Sequence, residues 1–144
     1  MSTNLYEHDF YAWANTQAAL LRARKLEAAD IENIAEEIAS MGRSEKRELV
    51  SRLTVLLLHL LKWQYQPERR GSSWEASIIV HRRDLQVHLD DNPSLKSKLG
   101  ESIAYAYSNA AITAVGETGL PKSTFPTTCP WTFGQIMDQD FWPE

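Results

Sequence analysis

The stretch Val55-Leu56-Leu57-Leu58-His59-Leu60-Leu61-Lys62-Trp63 has no rival in apolarity along the chain, and its reading decides the fold. Six apolar residues interrupted by a single histidine and closed by Lys62 are too few to span a bilayer, which takes about 20. On a helix, Leu49, Leu53, Leu56, Leu60 and Trp63 fall on one side, and Val50, Leu57 and Leu61 widen that side past a single stripe. So broad an apolar surface implies several neighbours, which makes this the central buried helix of an all-α bundle.

The flanking sequence supplies those neighbours. Asp9 to Arg24 places Phe10, Trp13, Gln17, Leu20 and Leu21 at helical spacing among five alanines. Asp30 is placed to cap a second helix with Ile31, Ile34, Ala35, Ile38 and Met41 on one face, and Gly42 is expected to stop it. Ser44 then caps the central helix, and Pro67 ends it. Ser72-Ser73-Trp74-Glu75 matches a capping box opening a fourth helix, whose inward face is Trp74, Ile78, His81, Leu85 and Leu89. Asn92-Pro93 starts a fifth, ended by Gly116 and Gly119. From Leu120 to Trp131 three prolines describe an irregular segment, and Thr132-Phe133-Gly134-Gln135 can cap a short final helix.

The expectation is therefore one helical domain over residues 1–144. It has a core bundle of four to five long helices at about 9–116 and an irregular C-terminal strap at about 117–144. Phe125, Trp131, Phe133, Phe141 and Trp142 give the strap its reason. Each large apolar side chain gains about 1.5–3 kcal/mol from burial, so the segment should lie across the bundle.

With 43% hydrophobic and 24% charged residues, the composition is that of an ordinary globular protein. Met1-Ser2-Thr3-Asn4 opens no basic-then-apolar leader, and the lone Cys129 cannot close an internal disulfide. Both features point to the cytoplasm and to no membrane partner. The net charge of −4 is segregated: residues 43–88 carry nine Lys or Arg against five Asp or Glu, and residues 1–42 and 89–144 each carry three against seven. Acidic flanks are expected to neutralise the basic middle across helix borders.

No constellation of residues forces a catalytic function. Carboxylate-bridged metal sites in bundles use Glu-x-x-His on two helices, a motif missing here. His81, Asp84 and His88 share one row of the fourth helix, with Glu36, Glu37 and His59 on other helices. His81 and His88 with Asp84 or Glu37 would be the ligands of a metal-dependent enzyme. Cys129 has no histidine near it in sequence. Lys62, Arg69, Arg70, Arg82 and Arg83 with Trp63, Tyr65 and Trp74 could contact nucleic acid, but the tryptophans fall on inward rows and the total charge is acidic, so that partner is disfavoured. Glycine-rich phosphate loops are lacking, and no cofactor is implied. The favoured expectation is a non-enzymatic helical protein acting through an unknown protein partner or as a homo-oligomer. Arg69, Arg70, Arg82 and Arg83 are its candidate contact residues.

Several stretches, taken together, resemble a known family. They are Tyr6-Glu7-His8-Asp9-Phe10-Tyr11-Ala12-Trp13, I-A-E-E-I from Ile34, G-R-S-E-K-R-E-L from Gly42, L-L-L-H-L-L-K-W-Q-Y-Q-P-E-R-R from Leu56, E-T-G-L-P from Glu117, and C-P-W-T-F-G-Q-I-M-D-Q-D-F-W-P from Cys129. With Trp74 and Pro93-Ser94-Leu95, they resemble the domain-of-unknown-function 29 family from about Leu5 to Pro143. The resemblance implies a helical fold and a bacterial, largely cyanobacterial, origin. The family has no assigned activity, so no functional residue carries over.

Overall fold

Leu49, Leu53, Leu56, Leu57, Leu60 and Leu61 are fully excluded from water, which puts the core where the leucine run predicts it. The computed structural model describes residues 4–144, so the leader reading at Met1, Ser2 and Thr3 lies outside the described residues. Every regular element among the described residues is helical: α1 (Leu5–His8), α2 (Phe10–Arg22), α3 (Ile31–Tyr65), α4 (Ser72–Asp91), α5 (Leu99–Thr118) and α6 (Phe133–Met137). Four of these are long, as expected of the bundle. Short 3-10 turns occupy Leu26–Ala28, Pro67–Arg69, Pro93–Lys98 and Lys122–Thr124.

Two compact units divide the chain, Met1–Ser44 and Glu45–Glu144. In the first, Asp9 caps α2 by accepting a hydrogen bond from the Ala12 amide at 3.1 Å. The next helix then runs back antiparallel, because Trp13 meets Asp30 while Tyr6 meets Glu37. Tyr6, Phe10 and Trp13 form an aromatic cluster with ring centres 4.7–5.9 Å apart. Trp13 Nε1 donates to the Asp30 carboxylate at 3.0 Å, and Asn33 donates to the same group at 2.9 Å. Those bonds, Asn33 first and Trp13 second, hold Asp30 below the ordinary carboxylate value.

In the second unit, the leucines of α3 meet Ile78, Leu85 and Leu89 of α4 and the small inner row Ala106, Ala110 and Ala114 of α5. Small residues let helix backbones approach closely, as the sequence of α5 suggests. Lys46 and Lys62 from the basic stretch each meet a carboxylate of the acidic last third, Glu101 and Glu117, both at 2.8 Å. Opposite charges thus do pair across helices.

Gly119 ends α5 in the left-handed region at φ 74°, donating its amide to Val115. The strap that follows is buried as predicted, with Phe125 5% exposed and Trp131 9% exposed. Phe125 packs edge-on to Tyr65 with ring centres 5.2 Å apart. The Tyr107 hydroxyl donates to the Pro126 carbonyl at 2.7 Å, so the strap's backbone is tied to α5. Thr132 and Gln135 form the reciprocal capping box of α6.

Several expected boundaries are corrected. Gly42 does not stop a helix and Ser44 does not cap one, since α3 runs unbroken from Ile31 to Tyr65. A glycine in mid-helix costs only about 1 kcal/mol against alanine, and no proline follows to prevent continuation. Ser72 makes no capping box with Glu75: Gly71 occupies the capping position, one residue earlier, and the Glu75 amide bonds to its carbonyl. Gly116 lies inside α5, and α5 itself begins at Leu99, after a 3-10 stretch opened by Pro93.

Candidate interaction surface

The four arginines expected to meet a partner divide into two pairs. Arg82 follows Ile78 by four residues and precedes Leu85 by three, on the inward row of α4, and is 1% exposed. Its Nε donates to the Ile136 carbonyl at 2.6 Å, and Nη2 reaches Phe141 at 2.9 Å and Gln135 at 3.3 Å. The guanidinium lies 5.6 Å from the centre of the Trp142 ring, and Nη1 has no hydrogen-bond partner among the described residues. Burial lowers its pKa, and the charge of Asp138 opposes that shift.

Arg70 works on the same segment. Its Nε donates to the Trp63 carbonyl at 2.7 Å and Nη2 to the Pro143 carbonyl at 3.3 Å. Its guanidinium lies over Trp63, which in turn packs on Trp142 at 4.7 Å. Arg70 and Arg82 are therefore latches for the strap. Arg69 and Arg83 remain exposed.

The metal candidates have other partners. Asp84 accepts from Arg52 at 3.2 Å, His88 Nε2 lies 2.9 Å from the Glu45 carbonyl, and Glu37 accepts from the Tyr6 hydroxyl. The hydrogen bond from Tyr6 to Glu37 pushes the Tyr6 pKa up to about 12. Among the described residues, no three His, Cys, Asp or Glu side chains gather as a metal site requires. His81 instead lies beside His59, ring centres 6.3 Å apart and nearly parallel. His59 Nδ1 is 2.8 Å from the Val55 carbonyl and His81 Nδ1 is 2.7 Å from the Ser77 carbonyl. A carbonyl only accepts, so both Nδ1 atoms carry the proton and both Nε2 atoms keep a lone pair in the neutral rings. Burial lowers the His59 pKa, with Lys62 and His81 adding to that shift.

Cys129 is half-buried, and burial raises its thiol pKa. That is the reverse of what activates a nucleophile. Lys62, paired with Glu117, also lies 5.1 Å from the Trp74 ring. An open groove of about 900 Å³ runs between α5 and the strap, lined by Tyr107, Ala111, Ile112, Val115, Lys122 and Phe125 among others.

The largest departure from the sequence reading lies in residues 10–41. Their apolar faces form on the expected helical rows, but they are open. Ile38 is 64% exposed, Met41 68%, Phe10 49% and Ile31 48%, and Leu21 and Leu26 also face water. Helical periodicity of 100° per residue places Phe10, Ala14 and Leu21 on one side of the Trp13 row of α2. It places Ile31, Ile34, Ile38 and Met41 on the same rotational side of the Asp30–Glu37 row. Because the two helices are antiparallel, equal rotation brings both sets to one broad face of the pair. Trp13 is the one buried large hydrophobic among residues 4–44.

A leucine core, a buried strap and a helical N-terminal segment with exposed apolar side chains make this an all-α protein. The sequence model described as "Domain of unknown function DUF29" matches residues 5–142, and the chain belongs to that family. No curated protein and no solved structure matches the chain. Sequence reasoning missed the inward placement of Arg82. Its position in the row Ile78, Arg82, Leu85, Leu89 was the available signal.

Proposed function

We propose that this protein is non-enzymatic and acts by binding another polypeptide through the open face of α2 and the first turns of α3. A single observation carries the reading: large hydrophobics at Phe10, Leu21, Ile31, Ile38 and Met41 share a face and meet water. Exposed contiguous apolar surface of more than a few hundred Å² marks an interaction site in a soluble protein. Arg69 and Arg83, exposed in the second unit, stay available as secondary contacts. A bacterial cytoplasmic setting, expected from the resemblance and from the free thiol of Cys129, fits this reading. No helix among the described residues is long and apolar enough to cross a membrane.

Affinity capture from the native host tests it, with the wild-type chain and Ile38→Glu as parallel baits. Polypeptides held by the wild type and lost with Ile38→Glu are the expected result. A bait that reproducibly holds nothing, or an Ile38→Glu bait that holds the same set, overturns the reading.

A further inference from the structure

We infer that the polypeptide covering this face is a second copy of the same chain, so that two antiparallel helix pairs close into a four-helix bundle. The inference rests on the contact reading above and names its occupant.

The first argument is the poverty of the layer's own core. A unit of about 40 residues buries too little surface to stand without a disulfide, a metal or oligomerisation. Here the lone cysteine, Cys129, lies in the other unit. Within residues 4–44, no large hydrophobic besides Trp13 is buried.

The second argument is area. The 13 residues of α2 make a layer about 20 Å long, and two helices of about 10 Å make it about 20 Å wide. That flat footprint of about 400 Å², to which the relief of its side chains adds, is half the roughly 800 Å² per partner of a standard-size interface, which places the dimer at the weak end of the range.

The third argument is self-complementarity. A two-fold interface opposes identical patches, so the patch must tolerate itself. Phe10, Ala14, Leu21, Ile31, Ile34, Ile38 and Met41 hold no charge among them. The same unit carries Arg22, Arg24, Lys25 and Arg43 against seven Asp or Glu, a net charge of −3, so two copies meet a modest repulsion that salt screens. Pairs of antiparallel helices stacked on an apolar face are the ordinary construction of a four-helix bundle.

Sedimentation velocity and light scattering on the full chain decide the matter. At about 100 µM, above the micromolar weak end for an interface of this size, the expected mass is twice the 16.4 kDa of one chain. Ile38→Glu should raise the dimer dissociation constant by at least about 100-fold, because it places an unpaired carboxylate in the seam. Its circular dichroism should remain helical, since Ile38 is largely exposed in the single chain. Val87→Glu, exposed on α4, is the control that should leave the dimer intact. A wild-type monomer at that concentration overturns the inference, as does an Ile38→Glu variant that dimerises normally. A monomer whose capture of another protein is abolished by Ile38→Glu removes the second copy and keeps the contact reading. Indifference of both mass and capture to Ile38→Glu removes both.

Discussion

A guanidinium surrounded by backbone carbonyls is held by the direction of its donors, and Arg82 shows how much of the strap depends on one such group. Its hydrogen bonds reach Gln135, Ile136 and Phe141. Bonds from a charged donor each contribute about 1.5–3 kcal/mol, part of it offset by desolvation of the charge. Arg82→Ala should therefore lower unfolding free energy by about 2–4 kcal/mol in urea titration, while Arg83→Ala, next door and exposed, should stay within about 0.5 kcal/mol. Arg82→Lys should not restore the loss, because a single ammonium cannot spread over three carbonyls. His59 makes a different prediction. Burial favours its neutral ring, so its folded pKa lies below the ordinary 6.5. The unfolded chain then takes up the proton first as pH falls. Stability from this group is complete above about 6.5 and declines as pH drops through that value toward the folded pKa. His59→Asn should flatten the part of the stability profile between about pH 7.5 and 5.5 that this group contributes, measured by denaturant midpoints.

At the level of elements, the sequence marked some boundaries and hid others for identifiable reasons. Pro67 and Gly119 mark real ends: one cannot supply an amide, and the other takes a left-handed conformation. Gly42 shares its identity with Gly119 but is helical, because nothing in its own side chain decides which state it takes. The α3 residues on both sides of it do, through their helix propensity. A Cβ built on Gly42 meets nothing within 4 Å. Gly42→Ala should therefore stabilise the chain by about 0.5–1 kcal/mol, read as a raised midpoint in thermal unfolding. A loss of stability there would mean that the helix needs to bend at this point. The two capping boxes make the same distinction. Thr132 and Gln135 close theirs, while Ser72 and Glu75 do not, because α4 starts one residue early, at Ser72, with Gly71 in the capping position. A shift of one residue lies below what a four-residue pattern can specify.

Across the whole molecule, the leucine core and the strap were legible because hydrophobic periodicity and an aromatic surplus both act through burial, the strongest term in folding. The candidate surface was half legible. Ile31, Ile34, Ile38 and Met41 were read as one face, but a face looks the same in sequence whether its neighbour belongs to the same chain or to another. The arginine latches were hidden for a related reason: paired basic residues such as Arg82-Arg83 look like solvated surface until the row to which each belongs is known.

The latch also orders the events of synthesis. The carbonyls that receive the Arg82 guanidinium are translated 53 to 59 residues after it. Until they emerge from the ribosome, the nascent chain holds a cation that α4 would have to bury without acceptors. The leucine helix can form early, but its enclosure has to wait for the last stretch of the polypeptide.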